Sequence, residues 1–105
     1  MSNSGGDFQC TGSYKYHLGT TSASSQQSAT MLATTTVVWL FAEQDTWVAV
    51  GTDPTAAAVT TGNVSLTSFK LRGGFYRAER IQYVGQKFAF LQVATAGEFE
   101  IIEGL

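Results

Sequence analysis

From Ala33 onward the chain alternates short apolar runs with polar or glycine-bearing breaks. "TTTVVWLFA" is rich in the β-branched and aromatic residues that suit a pleated surface. "EQD" at 43–45 is a polar turn and "TWVAVG" at 46–51 follows it, so the two runs predict an antiparallel hairpin. "VSLTSFKL" (64–71) alternates Val64 and Leu66 with Ser65 and Thr67, as a half-buried strand does. Gly73-Gly74 break that run, and "FYRAERIQYV" (75–84) resumes with mixed faces, which predicts a bulge or an irregular edge. Gly85-Gln86 lead into "KFAFLQVA", and Ala96-Gly97 lead into "EFEIIE". Short strands with turn signals about every 8–12 residues predict an all-β fold, an antiparallel β-sandwich or jelly-roll-like barrel.

Upstream the pattern is weaker. Residues 1–7 are polar and glycine-rich and predict a flexible N-terminal arm, leaving 8–105 as a single β domain. "FQCTGSYKYHL" mixes aromatic and polar residues in strand-like fashion. "GTTSASSQQSAT" predicts a loop or exposed edge strand, with a helix over 26–32 as the alternative, because its small polar side chains cannot build a core. The one proline lies in "GTDPTA". Asp53 and Pro54 suit the first two positions of a type I turn, and a residue without an N–H belongs at a strand end. "TAAAVTTGN" then reads as a small-residue connection.

Several strands carry more apolar surface than one buried face requires. Val37, Trp39 and Phe41 lie on one side of their run, and Val38, Leu40 and Ala42 on the other. Phe88 and Phe90 oppose Ala89, Leu91 and Val93, and Trp47 opposes Val48. A sandwich strand ordinarily shows one apolar and one wet face. Two explanations follow: loops and the N-terminal segment shield the second faces, or neighbouring subunits do. Charged residues are only 13% of the chain, about half the share usual in a soluble domain. That favours a surface largely occupied by partners.

The candidate chemistry is sparse. A net charge of −2 gives no overall attraction to nucleic acid or to an acidic membrane. Cys10 is the single cysteine and offers neither an intrachain disulfide nor a thiolate set. The start, "MSNSGGDFQC", lacks the basic flank and apolar stretch of a signal peptide. The run from Val37 to Ala42 is far shorter than the roughly 20 residues that span a bilayer. A soluble chain that works where it is made or assembled is therefore expected. His17, the only histidine, reads as a strand residue with a satisfied ring. No serine sits in a nucleophile elbow, and no glycine-rich phosphate loop occurs. Glu98, Glu100 and Glu103 read as a solvated edge that resists aggregation, with a carboxylate pair at Glu98 and Glu100 as the alternative. No enzymatic activity, cofactor or metal is expected.

Five of the six basic residues, Lys70, Arg72, Arg77, Arg80 and Lys87, fall in one stretch interleaved with Phe69, Phe75, Tyr76 and Tyr83. Three readings stand: a single-stranded nucleic-acid platform, cross-strand ion pairs with Glu79 and the acidic last strand, or a face toward an acidic partner. Glutamates close to the cations weaken the first.

Over about residues 33–105 the order of "VVWLFA", "DTWVAVGTDPTA", "LRGGFYR", "VGQKFAFLQ", "TAG" and "FEIIEG" resembles a class of small tailed-bacteriophage virion accessory proteins. These share a "G-x-(D/N)-P-T-A" element and a final "x-I-x-E" strand. The N-terminal third, with "GSYKYHLGTTSASSQQ", departs from that pattern and is the part expected to grip a particular capsid or tail lattice. The resemblance implies a head decoration or cement protein that bridges neighbouring capsid subunits. A tail- or fibre-associated protein that binds a host glycan or another virion protein is the alternative. It implies the major capsid protein or a tail component as partner, a homotrimer or homodimer, and a place on the virion surface after synthesis in the host cytoplasm. No membrane or nucleic-acid partner is implied. Large aromatics and arginine dominate interface energetics, so the candidate interface residues are Trp39, Trp47, Phe75, Tyr76 and Arg77.

Overall fold

A computed structural model of the chain describes residues 15–59, 68–81 and 85–104. The predicted N-terminal arm (1–7) and the first part of the "VSLTSFKL" run lie outside these. The described residues form eight strands: β1 (Lys15–Thr20), β2 (Gln26–Gln27), β3 (Val37–Ala42), β4 (Thr46–Gly51), β5 (Ser68–Leu71), β6 (Tyr76–Arg80), β7 (Lys87–Gln92) and β8 (Glu98–Gly104). Two four-stranded antiparallel sheets result, sheet A in the order β1-β8-β3-β6 and sheet B in the order β2-β7-β4-β5. Apart from the step from β4 to β5, every connection carries the chain from one sheet to the other. Strands joined by a corner occupy matching positions in the two sheets. This double wrapping is a jelly roll.

The expected hairpin of "VVWLFA" and "TWVAVG" is therefore not a hairpin. β3 pairs with β8 and β6, while β4 pairs with β7 and β5 in the opposite sheet. Both runs carry apolar residues on both faces, and both serve as interior strands with a neighbour on each edge. The corner at Glu43–Asp45 binds its neighbours instead of closing on itself. The Glu43 N–H donates to the Glu98 carbonyl at 2.8 Å, and the Asp45 carbonyl accepts from the Val93 N–H at 3.2 Å. The Asp45 carboxylate accepts from the Gly73 N–H at 2.8 Å. Corners meet closely here: a Cβ on Gly73 would lie 2.8 Å from the Glu43 carbonyl oxygen. The expected alternative helix over 26–32 is also absent, since Gln26–Gln27 form the short edge strand β2.

The core fills the space between the sheets with Val38, Leu40, Val48, Leu71, Phe88, Phe90, Phe99 and Ile101. Burying each of the larger side chains is worth about 1.5–3 kcal/mol. The Phe90 and Phe99 rings stack with centroids 4.0 Å apart and couple β7 to β8 across the layer.

The outer faces of the two sheets differ. On sheet B, Ala49 and Ala89 are buried under Ala56 and flanked by half-buried Trp47 and Leu91. The segment 52–59 crosses this sheet as a strap. Ser25 Oγ accepts from the Ala56 N–H at 2.9 Å, and Ser68 Oγ accepts from the Ala57 N–H at 3.3 Å. Gln27 Nε2 donates to the Asp53 carboxylate at 2.8 Å and to the Pro54 carbonyl at 2.9 Å. So the chain bends at Thr52–Asp53 and then runs without a hydrogen-bonded turn, where a type I turn was expected. Pro54 is buried against the sheet, and its missing N–H leaves no donor to satisfy there. On sheet A no described segment crosses the outer face. Tyr16, Leu18 and Tyr76 are 49%, 57% and 57% exposed.

Gly19 faces the Phe99 ring so closely that an added Cβ would lie 2.4 Å from it. Because that ring is held by its stack on Phe90, Gly19→Ala is expected to destabilise the fold by about 1–3 kcal/mol, measured by urea unfolding.

Candidate functional site

Strand register sets out the outer face of sheet A row by row. Tyr16, Ile102, Trp39 and Ala78 form one row across all four strands. Leu18, Glu100, Phe41 and Tyr76 form the next. Val37 and Arg80 stand at one end of the face, and Thr20 and Glu98 at the other. Tyr76 meets Phe41 with ring centroids 4.8 Å apart and Trp39 edge-on at 6.5 Å. Partial loss of hydration raises the Tyr16 phenol above its ordinary pKa. The negative charges of Glu100 and Glu98 and its hydrogen bond to Glu100 push it the same way. This face joins aromatic and aliphatic side chains in one continuous band.

Lys70, Arg72, Arg77 and Arg80 lie on β5, on β6 and between them, while Lys87 stands apart on β7 in the interior of sheet B. Arg77 and Glu79 project from β6 on the side opposite Tyr76, level with Leu40 and Val38. The Arg77 guanidinium lies 4.0 Å over the Phe69 ring, and its Nε pairs with Glu79 at 3.0 Å. Arg77 thus roofs the open side of the core. Lys70 Nζ sits 5.1 Å from the Trp47 ring. A shallow groove of about 490 Å³ runs between Lys70, Leu71, Arg72, Phe75, Tyr76 and Arg77. Arg77–Glu79 is an ion pair within one strand, and β3 separates β6 from the acidic β8, so the expected cross-strand pairs with the last strand do not form there.

Of the five candidate interface residues, Trp39 and Tyr76 share the outer face of sheet A, with Phe75 beside them at 67% exposure. Arg77 turns to the other side of β6. Trp47 lies on sheet B next to the strap. The five therefore do not converge on one site.

The C-terminal glutamates do not lie on a sheet edge, because β8 is an interior strand between β1 and β3; Glu98 is exposed and Glu100 half-buried on the outer face. Glu103 is 1% exposed. Its carboxylate accepts from Thr35 Oγ1 at 2.6 Å and from the Leu32 N–H at 2.7 Å, and it meets His17 Nε2 at 2.5 Å. Burial alone would raise its pKa, but the hydrogen bonds from Thr35, His17 and Leu32 outweigh that and hold the carboxyl below its ordinary value. The cluster fastens edge strand β1 and the 32–35 segment to β8. The signal for it lay in the sequence: Phe99, Ile101 and Glu103 share one parity, and the first two are core residues. Beside it an open groove of about 450 Å³ separates β1 from β2 and is lined by His17, Gly19, Gln26 and Phe99 among others. Among the described residues no group of three or more His, Cys, Asp or Glu side chains is placed to hold a metal.

Comparison with protein-family models, with curated proteins and with solved structures gives no match.

Because the Glu103 carboxyl titrates lower in the folded chain than in the unfolded one, its contribution is complete above the ordinary carboxylate pKa and is lost as pH falls through the folded value. Glu103→Gln is expected to lose about 3 kcal/mol at neutral pH, since three donors are left facing a weaker acceptor. Its stability should also fall less steeply on acidification than that of the unaltered chain. Urea unfolding between pH 7 and pH 3 reads both.

Proposed function

We propose that this chain is a structural protein of a tailed-bacteriophage virion, a decoration or cement protein that bridges neighbouring capsid subunits and performs no chemistry. The observation that carries this reading is the outer face of sheet A, which no described segment crosses, where Tyr16, Leu18 and Tyr76 are exposed beside half-buried Trp39, Phe41 and Ile102. Exposed apolar areas of this kind on a soluble domain mark contacts with other macromolecules. Burial against a neighbour removes the band from water and stabilises whatever it binds by mass action.

Two further points support it. The order of turn and strand elements over residues 33–105 resembles that of small virion accessory proteins. The jelly roll is also an architecture that viral shell and lectin domains use, although a fold alone assigns no function. In the proposed assembly Trp39, Tyr76 and Phe75 make the principal contacts. Arg77 and Trp47 contribute by shaping the flanks of the domain. A tail or fibre attachment that binds a host glycan is the second reading, favoured by Phe75 and Tyr76 standing beside Lys70 and Arg72 in one open groove.

Titrating the purified chain onto phage heads stripped of accessory proteins separates the two. Saturable, stoichiometric binding that raises the melting temperature of the heads is the expected result, weakened by Tyr76→Ala. Binding to host cells or glycans with none to heads would transfer the function to the tail reading. Binding to neither would overturn both.

A further inference from the structure

We propose that the free edge of β1 pairs with the same edge of a second copy of this chain, antiparallel and about a two-fold axis at Leu18, so that sheet A continues from one subunit into the next. The contact lies along the rim of the sheet and leaves the outer face to the proposed head contact.

Each sheet ends in two edge strands, and three of the four are guarded. β2 is two residues long. β5 is four residues long and exposes Lys70. β6 carries Arg77, Glu79 and Arg80 among its five residues. Short length and charge are ordinary means by which edges resist further pairing. β1 has neither: it keeps unbroken register with β8 over six residues and contains no proline. Beyond Lys15 its one basic side chain, His17, is turned inward onto Glu103. The groove between β1 and β2 opens beside this edge.

Parity decides which main-chain groups the edge offers. The Thr21 N–H donates to the Gly97 carbonyl at 2.8 Å, one step beyond the last β1–β8 pair. Residues of an antiparallel strand direct their N–H and C=O groups alternately to one side and the other. His17 and Gly19 therefore bond β8, while Tyr16, Leu18 and Thr20 direct theirs outward. All three are exposed, and among the described residues nothing bonds those outward groups.

A second β1 laid antiparallel satisfies this row in one register, with Leu18 opposite Leu18 of the second copy and Tyr16 opposite Thr20 on either side. Any other register of the right parity leaves an outward residue of each strand beyond the end of its partner. The side chains agree. Leu18 meets its counterpart on the axis, and each Tyr16 lies beside a Thr20, an aromatic with β-branched pair that stabilises neighbouring strands. On the inner side His17 comes level with Gly19, which has no side chain to crowd the ring. No like charges are opposed. Because β1 complements itself, the contact closes at two subunits and consumes the edge.

Sedimentation equilibrium of the full chain, without heads, tests this, and a dimer is expected. Leu18→Lys opposes two lysines at the axis and should weaken association by about tenfold or more. Thr20→Pro removes an outward N–H and none of the bonds to β8, so it should weaken association similarly while urea unfolding of the subunit changes little. Register is read by cysteines in a Cys10→Ser chain. Leu18→Cys should give a disulfide-linked dimer on oxidation, since opposed Cα atoms about 5.5 Å apart can be bridged, and Tyr16→Cys should not. If Thr20→Pro fails to fold, Leu18→Lys and the cysteine pair still decide. A monomeric chain, association indifferent to Leu18→Lys, or a Tyr16→Cys chain that links as readily as Leu18→Cys would each overturn the proposal. A chain that stays monomeric yet saturates heads, and loses them on Thr20→Pro, would hand the edge to a strand of the head and overturn the second copy. A dimer of this register that ignores heads would leave the pairing standing and overturn the virion reading.

Discussion

Strands that are apolar on both sides must be covered twice, and the way this chain meets that demand organises the whole molecule. β3, β4 and β7 each bring oily side chains to both faces of their sheets. One set meets in the middle and becomes the core. For the other set the described residues supply one cover, the strap at 52–59, which lies on sheet B. Sheet A has none among the described residues. The two sheets are nearly alike in strand number and pairing, so the asymmetry comes from where one connection runs.

This explains why Trp39 and Trp47, so similar in sequence setting, have different surroundings. Each sits on a strand next to a smaller apolar residue, and nothing within either strand separates them. The small residues at 55–58 make the difference, because Ala56 can approach Ala49 and Ala89 closely enough to bury them. Strand content was legible in the runs themselves, since β-branched and aromatic residues with polar breaks specify extended chain wherever it ends up. The partner of each strand was not. "EQD" is as good a corner between sheets as a turn within one, and only the pairing of Val37 with Gly104, far along the chain, decides between them.

The candidate surface was legible to a similar degree. Surplus apolar faces could be counted from alternation, and the aromatic residues on them could be named. Their grouping depended on neighbours from distant strands, which is why Arg77 and Tyr76, adjacent in sequence, stand on opposite sides of β6. Glu103 is buried where its residue type alone points to solvent, because it shares its parity with Phe99 and Ile101, and parity is the firmer guide within a strand. Burying a carboxylate is costly unless it is fully hydrogen-bonded. The hydroxyl, amide and imidazole around Glu103 meet that condition, and in doing so they fix the position of β1 against β8.

The place of β8 in sheet A has a temporal side. It follows all seven other strands in chain order, yet it is the strand that joins β1 to β3, with His17 and Glu103 86 positions apart. A ribosome releases the chain from its N-terminal side, so β1 and β3 emerge without the neighbour that binds them together. Sheet A is then assembled by insertion of a late central strand and not by stepwise addition at an edge. Through that interval the bands later opposed across the core are unprotected, and loop closure over most of the sequence makes the final step slow. The scarcity of charge that suits a partner-covered surface also leaves the nascent chain little to keep it apart from its siblings.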